Sequence, residues 1–164
     1  MKTLARWSTA AGIVALLLGL FAPAQATAAE ITGEIEGFER APQCGSHGAL
    51  FVFAFDGEVN GRSGSGWGWI EVLHEPLPED GGPTPIFGGR GALWIGWRRF
   101  RIDVGNGLLV SRPSQSGVFD VAAPLDVRER RGRPVPHDFF DGTLSHLTFP
   151  PTIQGTVQPS GLGE

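Results

Sequence analysis

Glycine and proline set the limits on what this chain can fold into. There are 25 glycines and 13 prolines in 164 residues, spaced every few positions from residue 31 onward. Inside a helix each costs about 1 (Gly) to 3 (Pro) kcal/mol. No stretch beyond residue 30 carries apolar residues at three-and-four spacing over a helical length. What the interruptions leave intact are short runs of Phe, Val, Ile and Trp bounded by turn-forming residues, which is the pattern of strands.

Ile31–Phe38 sets Ile, Gly, Ile and Gly against Thr, Glu, Glu and Phe, a strand with one solvated face. Ala49–Phe55 is apolar on both alternations and is expected to run centrally, covered on both faces. Asn60-Gly61 is a turn dipeptide, but Gly64 and Gly66 follow so closely that a longer loop is expected before a return strand at Trp67–His74. Glu75–Pro85 reads as loop. Within Leu93–Val104, residues Phe100, Ile102 and Val104 alternate with Arg99, Arg101 and Asp103, and Gly105-Asn106-Gly107 turns the chain into Leu108–Ser111. Gly117–Val121 and Leu125–Arg128 read as weaker strands split by Pro124. Arg130–Pro136 reads as loop, and Asp141–Phe149 and Ile153–Gln158 as the last strands.

Eight or nine short strands predict one all-β domain, an antiparallel β-sandwich or closed β-barrel. The first and last strands, ITGEIEG and TIQGTVQ, resemble each other. They are expected to lie side by side and close the sheet, which removes two exposed edges.

Residues 1–26 read as a cleaved signal peptide. Lys2 and Arg6 precede the apolar run Ala10–Ala22, and Ala24-Gln25-Ala26 offers the small residues of a cleavage site, with Ala28 and Ala29 as alternatives. No arginine pair precedes the run, and the sole cysteine, Cys44, lies well past it. The expectation is export by the general secretion route to the periplasm or the extracellular space. Residues 27–164 then form the exported all-β domain, with no later membrane span. One cysteine allows no internal disulfide, so stability must come from packing. Loss of Lys2 and Arg6 lowers the basic side chains from 13 to 11 against 17 acidic ones, moving the formal charge from −4 to −6. Such a chain is a poor partner for nucleic acid, which demands a basic face.

HDFFDGTLSH, residues 137–146, gathers two of the four histidines with two carboxylates. Asp141 and His146 are five apart and face opposite sides of a strand, so the spacing lacks a zinc pattern. The reading is Asp141-Gly142 as a turn, Asp138 bonding its own loop backbone, and His146 on a strand. Cys44-Gly45-Ser46-His47 pairs a thiol with an imidazole but has no second cysteine and no papain-type context. A sharper alternative assembles Cys44, His47, His137, Asp138 and His146 into one catalytic or metal-binding site.

Gly61–Gly68 (GRSGSGWG) meets neither the phosphate-loop nor the Gly-x-Ser-x-Gly pattern and reads as a hairpin loop. The glycine and tryptophan spacing also lacks the Gly-x-Trp signature of lipocalins. Trp67, Trp69, Trp94 and Trp97 are many indoles for one small domain. Most should fill the core of a chain without tyrosine, with one or two at the mouth of a ligand site. Arg128, Arg130, Arg131 and Arg133 form a basic run that either binds an anion or keeps a loop solvated.

The expected function is therefore non-enzymatic binding of a small apolar or sugar-like ligand or a cell-envelope partner, with no metal or cofactor. The alternatives are an enzyme or metal-binding protein using the Cys/His/Asp set, and a structural or matrix protein without a ligand.

Overall fold

The computed structural model describes residues 29–40, 47–77, 82–129 and 138–160. The expected signal peptide, residues 1–26, lies outside these. Nine strands follow one another: β1 (Ile31–Glu39), β2 (Gly48–Val59), β3 (Arg62–His74), β4 (Thr84–Ile95), β5 (Arg98–Val104), β6 (Gly107–Ser111), β7 (Val118–Arg128), β8 (Asp138–Ser145) and β9 (Thr152–Pro159). All pair antiparallel, and there is no α-helix among the described residues.

The sheet closes on itself as a barrel rather than forming a sandwich. β1 lies between β2 and β9, with Ile35 opposite both Phe55 and Gly155. The two similar end strands thus meet as their sequences predict. On the far side, β4 and β7 are bridged twice: β5 joins them at one end (Gly89–Ile95 to Arg98–Val104, Arg101–Val104 to Leu125–Arg128). β6 joins them at the other (Thr84–Ile86 to Gly107–Leu109, Leu108–Ser111 to Phe119–Ala122). Two short strands share one position, so nine strands make an eight-strand wall.

Several local expectations give way to the ladder. Asn60 (φ 52°) and Gly61 (φ 70°) form a two-residue turn of the type that matches strand twist. β3 pairs from Arg62 on, so Arg62–Gly66 is strand rather than loop. β4 begins at Thr84 inside the proline-rich segment, and Leu93–Val104 is divided by a turn at Gly96-Trp97. Pro124 does not interrupt β7. It sits level with the gap between β5 and β6, where its carbonyl accepts Gly105 N–H at 2.8 Å and no ladder donor is needed. Asp141-Gly142 lies in mid-strand, and β8 stops at Ser145 rather than Phe149. β2 is buried only on its inner side (Phe51, Phe53, Phe55), while Ala54 is exposed, because a single barrel wall has one dry face.

Inward glycines come in cross-strand pairs, Gly33 with Gly57 and Gly142 with Gly155. The rings of Phe55 and Phe140 lie flat against these bare patches, so that a Cβ on Gly33 would stand 2.7 Å from Phe55 Cε2. One end of the interior is filled by Phe55, Leu93, Phe100, Val127 and Val157. The other end is open.

Candidate functional site: the barrel cavity

The open end leads into a cavity of about 480 Å³. Its wall carries Ile35, Phe51, Phe53, Ile70, Val72, Ile102, Leu125, Phe140 and Leu144, alternate residues of strands that each turn one face inward. Space remains because the lining includes the small residues Gly48, Ala49 and Ala123, whereas large side chains crowd the closed end. Polar groups line the cavity only around its mouth, where Glu39, His74 and His146 stand with Pro76, Leu77 and Pro151. His74 Nδ1 donates to Glu75 O at 2.5 Å, which leaves Nε2 as the nitrogen free to meet a ligand. The His146 ring stands 5.5 Å from Phe119, tilted by 59°.

Asp138 lies at the opposite end, on the inner face of β8, and is 0 % exposed. Its own loop, to whose backbone a bond is expected, lies outside the described residues. Its Oδ1 accepts the N–H of Ile31 at 3.3 Å, tying β8 to the start of β1, while Oδ2 has no hydrogen-bond partner among the described residues. Burial, with Asp126 and Glu30 nearby, pushes its carboxyl up to about 7.

The Cys/His/Asp constellation is not assembled from its described members. Asp138 and His146 are eight residues apart along one extended segment, about 26 Å at the usual strand rise, one at each end of the barrel. His47 is exposed beside the start of β2. Cys44 and His137 lie outside the described residues. Among the described residues, no three His, Cys, Asp or Glu side chains group closely enough to hold a metal.

The indoles stand outside the cavity. Trp67 and Trp94 are cross-strand partners on the outer face, stacked at 4.6 Å, with the Arg99 guanidinium 5.2 Å from the Trp94 ring centre. Trp69 shares that outer face, and Trp97 caps the β4–β5 turn, 91 % exposed. Arg128, 3 % exposed, is committed to ion pairs with Asp103 and, at 2.6 Å, with Asp126. Arg130, Arg131 and Arg133 lie outside the described residues.

Comparison with protein-family models, curated proteins and solved structures gives no match.

Sequence reasoning located the dry face of most strands but not the void behind it. The cavity-lining positions are the inward residues of each alternation, legible as core. Whether they meet in the middle depends on how many are Gly or Ala at one end. His74, the one histidine outside the candidate set, reaches the mouth as the last residue of β3, on the same inward alternation as Ile70 and Val72 and paired with Ile86 after a register shift.

Proposed function

We propose that this chain is a non-enzymatic carrier that holds one small apolar ligand inside the barrel. The observation that carries this reading is the cavity: about 480 Å³, walled by aliphatic and phenyl groups, open at one end. That size falls in the range of sites for small organic ligands. Apolar over sugar-like follows from the wall, which gives hydroxyl groups nothing to bond below the mouth; a buried hydroxyl left unpaired costs about 1–3 kcal/mol. A ligand with an apolar body and one polar end would place that end beside Glu39, His74 and His146. Export to the periplasm or extracellular space remains part of the proposal, resting on the leader-like residues 1–26.

The test is titration with the neutral dye N-phenyl-1-naphthylamine. Saturable one-to-one uptake with blue-shifted emission is expected for the native chain. Ala123→Phe, which adds a ring to the cavity wall, should lower the affinity at least tenfold while keeping the β-sheet spectrum. Absence of saturable uptake, or uptake indifferent to Ala123→Phe, would overturn the reading.

A further inference from the structure

Among the described residues, nine large apolar side chains are exposed, and seven of them stand at the open end. Phe38, Leu73, Phe87, Leu108 and Val110 lie on the outer face near the mouth ends of β1, β3, β4 and β6. Leu147 and Phe149, 65 % and 88 % exposed, occupy the β8–β9 connection above them. Only Trp67, at mid-wall, and Trp97, at the closed end, stand apart.

We propose that the open end of the barrel docks on a lipid surface, with this apolar ring seated in the headgroup boundary around the cavity mouth. The proposal rests on the apolar-carrier reading and adds the phase with which the carrier exchanges its ligand.

Three observations favour a bilayer over a protein partner. The ring is spread around the barrel, from β1 past β3, β4 and β6 to the β8–β9 connection, whereas a protein would cover a patch on one side. It is continuous with the cavity lining through Leu77, Pro76 and Pro151, so an apolar ligand passes between lipid and barrel without crossing water. The charge fits an uncharged headgroup layer. The chain carries a formal −4, or −6 without residues 1–26; at the rim the guanidinium of Arg112 is paired with Asp120 at 2.5 Å, and the exposed Arg40 directly follows Glu39. Apolar insertion, rather than attraction to anionic lipid, must then supply the binding. Below the rim the outer wall carries Glu34, Glu36, Asp56 and Glu58, which limits contact to the mouth.

The test is flotation of the exported chain with phosphatidylcholine vesicles, in three forms: native, the double variant Leu147→Ser/Phe149→Ser, and Trp97→Ser as a control at the closed end. All carry the same N-terminus, so its contribution cancels, and all three substituted side chains are solvent-facing, so folding is preserved. Native and Trp97→Ser should float equally. The double variant should lose roughly tenfold or more of its partitioning, and adding phosphatidylglycerol should not strengthen any form. A native chain that stays in solution, a double variant that floats like native, or a native dimer dissolved by the double variant would overturn the docking. Dye uptake by a chain that does not float removes the docking and leaves the carrier. Flotation without dye uptake upholds the docking and removes the carrier.

Discussion

Asp138 is a carboxyl in an expensive place. One oxygen holds Ile31 N–H, the other has no partner among the described residues, and water is excluded. Its folded-state value of about 7 exceeds the ordinary carboxylate value near 4. Between those limits the folded chain keeps a proton that the unfolded chain has lost. Stability from this group is therefore greatest below about pH 4, falls as pH rises through the window, and levels above about 7. Asp138→Asn keeps an acceptor for Ile31 and removes the ionisation. We expect the variant to match the native chain below pH 4 and to exceed it above pH 7, by up to about 4 kcal/mol. Denaturant unfolding at several pH values checks this, and a difference that does not change with pH would sink it. The sequence exposed Asp138 as part of a polar cluster with His137, Asp141 and His146. It did not reveal that Asp138 faces inward at the end of the strand away from His146, because that depends on where β8 starts.

At the scale of the strand, the inward glycines are places where a phenyl ring takes the space of two missing side chains. Gly142 and Gly155 face each other beneath the Phe140 ring, and a Cβ on Gly155 would stand 2.6 Å from Gly142 Cα and 2.8 Å from Phe140 Cε2. The Gly142 backbone is held in the ladder, and the Phe140 ring can yield only by turning into the cavity. Gly155→Val should therefore lose about 1–3 kcal/mol. Thr156→Val, one residue on and facing outward, should stay within about 0.5 kcal/mol. Thermal unfolding of the two variants side by side is the measurement, and equal midpoints would refute the stacking argument. This is also where the sequence was most and least legible. Alternation in Ile31–Phe38 and Phe100–Val104 gave strand, face and interior correctly, because a half-buried strand writes its period of two directly. GRSGSG reads as a loop and Asp141-Gly142 as a turn, because glycine in a loop and glycine packed under a neighbouring side chain look the same until the partner strand is known.

At the scale of the molecule, phenyls stand on both sides of the wall, but the rings that line the cavity include Phe51, Phe53 and Phe140, and every described indole lies outside it. Tryptophan emission should consequently ignore the ligand. A saturated long-chain alcohol is expected to displace the naphthylamine dye completely while the indole emission maximum moves by no more than about 2 nm, since no described indole loses or gains contact with water. A large shift accompanying displacement would mean that the ligand sits against the outer wall instead. Closure of the barrel also imposes a timetable. One edge of β1 pairs with β2, but on the other Ile35 pairs with Gly155, and Ala29 N–H reaches Val127 O at 2.9 Å, so that edge finds its partners only among the last strands. A chain delivered N-terminus first can pair β1 with β2 at once but must leave the other edge of β1 unmated until β9 arrives, with that long-range pairing left for the final step. Late closure of that kind makes the meeting of its two ends the event that commits the chain to a shape.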